Sequence, residues 1–264
     1  MPCPSATMAV WTSAWLHGAA ASDDVLDALQ PWAEQQQVRA ATDELSTRLE
    51  LPGPRETPAS TGALLAALRK AGAATADLVL PVPGDVRGLD GATDFAKQAM
   101  RSGEATVLPD AGLGIVPQRI AEGILQWTAF PLGELPPAAH VPLGEAEHGM
   151  SSAMREAANT LLELGVASHR PGVREEIARL VSSHPTPPWP KQTPQRAVRV
   201  LQRAAEAEAI LWIAVDDSPG GALSASAIRA RTEALRPLFD AVRTARTAAV
   251  AEMVRTLTGR ARKS

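Results

Sequence analysis

The chain has no tyrosine and a single cysteine, Cys3, among its 264 residues. One thiol closes no intrachain disulfide and builds no cysteine metal cluster, which fits a reducing compartment. Lysine is nearly as scarce, with four against 22 arginines in a chain where alanine is abundant, a bias that reads as a GC-rich genome rather than as function. Long apolar runs are missing too. The longest, from Ala209 to Val215, is far below the roughly 20 residues that a membrane-spanning helix needs. The opening residues do not place a basic stretch, an apolar stretch and a small-residue cleavage site in series, so no secretory leader is expected. These absences together predict a soluble, cytoplasmic protein.

Signatures that name a reaction are also lacking. No serine lies in a G-x-S-x-G elbow. No G-x-x-x-x-G-K occurs, and Gly112-Leu113-Gly114 lacks the rest of a dinucleotide fingerprint. The five histidines, at 17, 140, 148, 169 and 184, show no H-E-x-x-H spacing. Glu145, Glu147 and His148, with His140 earlier on the same loop, come nearest to a metal cluster. They are too few on too flexible a segment, so neither a metal nor a cofactor is expected.

What is present suits a folded core. Hydrophobic residues make up 45% and charged residues 21%, which argues against disorder of the whole. The net charge of −3 is unevenly placed: residues 228–264 carry nine basic and three acidic side chains, leaving 17 basic and 26 acidic before them. A basic C-terminal segment packed on an acidic body accounts for that split.

The stretch that organises the chain is 76–91, ADLVLPVPGDVRGLDG. The apolar run Leu78-Val79-Leu80 suits a buried strand, and the Pro, Gly and Asp that follow make a sharp, rigid bend. Upstream, Val10, Trp11, Ala14 and Trp15 fit a short buried helix, and these tryptophans with Trp32 read as core rather than as a ligand cage. Val38, Ala41, Leu45 and Leu49 repeat at helical spacing. Further helices are expected from Ser60 to Ala71 and from the cap Thr93 to Gly103. Extended pieces are expected at 104–109, 112–117 and 124–132. Their prolines remove ladder donors, so the strands should be short or at edges.

The predicted fold class is α+β: a small mixed or antiparallel sheet of three or four short strands covered by helices, then a mostly helical C-terminal region. The expected organisation is an α+β region over 1–135, a linker over 136–149 and a helical region over 150–264 ending in a basic helix. Within it, the proline-rich connector 183–194 reads as a stiff spacer anchored by its tryptophan, or as a polyproline ligand.

Three functions follow. The preferred one is a non-catalytic interaction or regulatory protein with a protein partner or as a homo-oligomer, because amphipathic helices without a catalytic constellation suit binding. The second uses the strand-end bends as a ligand cleft, with Asp85 and Asp110 as acids, Arg87 as anion clamp, and Gly112 and Gly114 allowing close approach. Against it stands a plain turn, with Asp85 and Arg87 pinning the bend. The third is nucleic-acid binding through Arg229, Arg236 and Arg243. Their seven-residue spacing makes a row along a helix that Pro237 interrupts. Arg231 and Arg246, beside the apolar line of that helix, each call for an acid or a phosphate.

Overall fold

The structure, a computed structural model, describes residues 3–89, 91, 93–135, 140–163, 172–186, 188–216 and 225–261. It divides into two compact units. The first to form in sequence is an α/β unit of Cys3–Ala139, joined by Thr186–Pro194 and Val250–Ser264. The second is helical and comprises His140–Pro185 and Gln195–Ala249.

The α/β unit is built on a five-stranded sheet. Its strands are β1 (Gln35–Ala40), β2 (Asp77–Val79), β3 (Ala105–Leu108), β4 (Leu113–Ala121) and β5 (Ile124–Pro131), in the order β1-β5-β4-β3-β2. Only β1 and β5 run parallel, and every other neighbouring pair is antiparallel. The α+β class with a mixed sheet is therefore as expected, with one strand more. That strand is β1, where Val38 sits opposite Trp127 instead of continuing a helix. Pairing with β5 overrides the local periodicity, and the Trp127 indole donates to Gln36 Oε1 at 2.8 Å. Helix α3 (Asp43–Leu49) starts only where Thr42 Oγ1 accepts the Leu45 N–H at 3.1 Å, a side-chain cap on an orphan donor.

Helix α1 (Pro4–Leu16) is buried on nearly every side, as suits a helix with no polar stripe. Among its buried hydroxyls, those of Thr7 and Ser13 bond to other elements of the unit. Thr7 Oγ1 accepts the Trp32 indole N–H at 3.1 Å, and Ser13 Oγ accepts the Ala76 N–H at 3.0 Å. Thr106 Oγ1 on β3 donates to the Ser5 carbonyl at 3.1 Å, which places α1 on the Thr106 face of the sheet. Strand residues alternate faces, so Val107 looks the other way. It joins Val79, Ala105, Val116 and Phe130 in a core cluster with Phe95, Ala96 and Ala99 of helix α5 (Asp94–Ser102). Helix α5 starts at Thr93, whose Oγ1 accepts the Ala96 N–H, and stops at Gly103 with φ 75°. Helices α2 (Ser22–Leu29) and α4 (Thr61–Lys70) complete the unit's first half. Trp11, Trp15 and Trp32 are all core residues.

The helical unit holds α6 (Leu143–Glu163), α7 (Val173–Ser182), α8 (Gln195–Asp216) and the larger part of α9 (Ala225–Ala261). Glu147 of α6 is bound by Arg196 of α8 at 2.9 Å, with Arg203 at 3.5 Å. Glu208 of α8 is bound by Arg246 of α9 at 3.1 Å, with only 19% and 12% of the two side chains exposed. Helix α9 runs through Pro237 without a break, whereas the sequence suggested a stop and restart there. Its last buried residues, Val250, Met253, Val254 and Leu257, belong to the α/β unit.

Candidate functional site

The bend after β2 is pinned at each step. Val82 and Asp85 exchange backbone hydrogen bonds of 3.1 and 2.9 Å across the corner Pro83-Gly84. Gly84 takes φ 89°, the left-handed value that a proline-glycine turn of this type requires. The Asp85 carboxylate then accepts the Arg87 backbone N–H at 3.2 Å and grips the guanidinium through Nε at 2.9 Å and Nη2 at 2.6 Å. Leu89 N–H closes a second turn on the Val86 carbonyl at 3.1 Å. Gly88 has φ 81°, and a Cβ there would lie 2.9 Å from Val79 Cγ2, so the chain folds flat onto β2 at that point. On this fixed frame Val82 is 37% and Val86 59% exposed.

A second constellation forms around Asp110, in the short 3-10 turn Pro109–Ala111 that follows β3. Its Oδ2 accepts from the Thr75 N–H at 3.3 Å and the Thr75 hydroxyl at 3.4 Å. Asp77, the first residue of β2, pairs with Val107 and lies close to it. Burial within the fold and, second, the negative charge of Asp110 raise the Asp77 pKa above the ordinary carboxylate value. Asp77 is nevertheless an exposed residue on the edge strand of the sheet, so water screens both effects.

The predicted site residues thus fall into separate places. Strands β2 and β3 are neighbours, but their antiparallel pairing sends the Asp85–Arg87 bend and the Asp110 turn out from opposite ends of the pair. Roughly 10 Å of strand lies between those ends at about 3.3 Å per residue. Gly112 ends the 3-10 turn at φ 62°, and its carbonyl accepts the Leu132 N–H at 2.9 Å. Gly114 is buried in β4 under Phe95: an added Cβ would lie 2.8 Å from ring carbon Cζ and closer still to Cδ2 and Cε2. Packing accounts for that glycine.

On α9, Arg236 is exposed, whereas Arg243 is held by Asp240 at 2.9 Å with 11% of its side chain exposed. The side chains of Arg229 and Arg231 lie outside the described residues, as does His169. Glu147, the centre of the suggested metal cluster, is taken up by Arg196 and Arg203. Among the described residues no three metal-ligating side chains come together. Sequence reading missed three contributors: Asp77, Thr75 and the exposed valine pair. Only the valines carried a local signal, as apolar residues within a turn.

An α+β unit followed in sequence by a helical one defines a two-part protein in which no described helix is long and apolar enough to cross a membrane. Family models draw a similar division: the one described as Rv1486c-like protein, N-terminal domain, matches residues 5–141, and the C-terminal domain of the same description matches 144–247. The chain belongs to this Rv1486c-like family. It is 37% identical to the uncharacterised protein Rv1486c of Mycobacterium tuberculosis, over 95% of this chain and 96% of the relative. It is 34% identical to the uncharacterised protein ML1804 of Mycobacterium leprae, over 95% and 97%. No solved structure matches it.

Proposed function

We propose that this is a non-catalytic, cytoplasmic protein-interaction protein that presents the 82–87 bend to a protein partner. The observation that carries the reading is the exposure of Val82 and Val86 on a bend whose backbone is held throughout. A solvent-facing turn favours polar residues, and nothing in the turn chemistry asks for β-branched ones. Each valine offers up to about 1.5–3 kcal/mol if an interface buries it fully. Rigidity helps as well, because a loop already ordered loses little entropy on docking. Arg87 is engaged by Asp85, so the charged pair frames the apolar surface.

The two other readings have less support. A ligand cleft needs the bends to converge, and the β2–β3 register sends them apart. A phosphate-tracking row needs presented arginines, and Arg243 is largely covered. The test is size-exclusion chromatography with light scattering, on the parent and on Val82→Ser/Val86→Ser. The parent is expected as a complex or oligomer. The variant is expected to lose that mass at an unchanged melting temperature. A strictly monomeric parent with nothing co-purifying refutes the proposal.

A further inference from the structure

Residues Thr186–Pro194 belong to the α/β unit, although the residues before and after them belong to the helical one. This strap is rich in proline, which fixes φ near −65° and favours an extended polyproline II course with unpaired carbonyls. One such carbonyl, that of Pro188, accepts the Trp11 indole N–H at 2.9 Å across 177 positions of sequence. Pro190 and Thr193 are buried, and the Thr193 N–H closes a turn on the Pro190 carbonyl at 2.9 Å. Thr186, Pro188, Lys191 and Gln192 face solvent, so the strap lies on the surface of the unit and is accessible from outside.

Trp11 itself belongs to α1, the most deeply buried helix of the unit, and is 8% exposed. It is a rigidly mounted donor whose N–H needs an acceptor. An aromatic platform that binds a proline-rich strand and donates to its carbonyl is a general mode of peptide recognition, effective because such a strand is already ordered and its carbonyls are free. Here the indole donor and the proline carbonyl that accepts from it lie in one chain. We propose that Trp11 anchors a polyproline-reading site on the α/β unit, that the strap is its resident ligand, and that a proline-rich segment of a partner protein displaces it. This proposal uses residues remote in sequence from the 82–87 bend and stands independently of the function proposed above.

Tethering gives the strap an effective concentration of order millimolar, so an external segment competes poorly with an intact strap and well with a weakened one. The chain has four lysines: Lys70 and Lys97 lie in helices and Lys191 in the strap, while Lys263 is near the C-terminus. A lysine-specific protease therefore reports strap release. In Pro188→Ser/Pro190→Ser, which leaves α1 untouched, cleavage after Lys191 is expected to rise at least tenfold while cleavage after Lys70 and Lys97 stays at the parent rate. A labelled peptide of residues 183–194 is expected to bind this variant saturably and the parent at least tenfold more weakly. Adding Trp11→Phe is expected to weaken binding to the variant at least tenfold. Unchanged cleavage at Lys191 overturns the proposal, as does peptide binding equal in parent and strap variant or indifferent to Trp11. If Trp11→Phe does not fold, the comparison of parent with strap variant still decides. Light scattering covers a further occupant: a parent dimer that the peptide dissolves would make the displacing segment another copy's strap, and would overturn the partner.

Discussion

Replacing Gly114 by Ala separates a packing role from a ligand role for this residue. Its φ is not in the left-handed region, so the backbone tolerates a side chain and sterics alone decide. The new methyl would meet the Phe95 ring, with Cζ at 2.8 Å and two further ring carbons nearer. Phe95 is almost fully buried, and its ring packs on Phe130 with centroids 6.2 Å apart, so it has little room to retreat. Overpacking of this kind costs about 1–3 kcal/mol, and the closeness of three ring atoms puts Gly114→Ala at about 3 kcal/mol. Phe95→Leu alone opens space and is expected to cost about 2 kcal/mol. Combined, the methyl occupies the space that the ring gives up, so the double variant should be more stable than the sum of the two by at least about 1 kcal/mol. Urea denaturation followed by tryptophan fluorescence measures the cycle. Trp11, Trp15, Trp32, Trp127 and Trp189 are in the α/β unit and only Trp212 in the helical one, so the signal reports chiefly the unit concerned. A Gly114→Ala protein as stable as the parent, or a coupling energy of zero, refutes the packing argument.

The raised pKa of Asp77 means that the fold favours its neutral form: its contribution to stability is present below the unfolded pKa and is lost as pH rises through the higher folded value. Asp77→Asn should therefore raise the melting temperature at pH 7 and change it little at a pH below the carboxylate range; equal melting temperatures at both pH values refute the carboxylate pairing. In the helical unit, Glu208→Leu leaves Arg246 covered and without this acid, at a cost of about 2–4 kcal/mol, while Glu208→Leu/Arg246→Met should recover most of it. Helix content followed by circular dichroism through a denaturant series tests this, and a double variant no more stable than the single one counts against it.

Local chemistry was legible wherever a residue acts on its own neighbourhood. Thr93 and Gly103 bound α5, and the prolines and glycines of 81–88 make the bend that their types require. Helix α1 was readable from its tryptophans but begins earlier than its apolar residues suggest, since Thr7 looks like a solvent-facing position until Trp32 is seen to bond its hydroxyl, and Ser5 is fixed through its backbone carbonyl, which accepts from Thr106. Strand β1 was hidden for the converse reason. Gln35-Gln36-Gln37-Val38 has little strand character of its own and is held by β5, nearly 90 positions later. The α9 arginines show the same limit: seven-residue spacing predicts a row, and only the neighbours of each decide which member is presented.

The candidate site failed to converge for one physical reason, and the same reason created the pair that was missed. Which two acids meet at the end of a strand pair depends on direction, and direction is a long-range property that no window of sequence contains. A parallel β2–β3 pair would have brought the residues after β2, Asp85 and Arg87, to the same end as Asp110. The antiparallel pair brings the residue at the start of β2 there instead. Asp77 opposite Val107 is three positions short of Asp110 on the neighbouring strand, close enough for one carboxylate to raise the pKa of the other. The bend at 82–87 leaves from the far end of the pair, where Val79 lies opposite Ala105, and there it exposes Val82 and Val86.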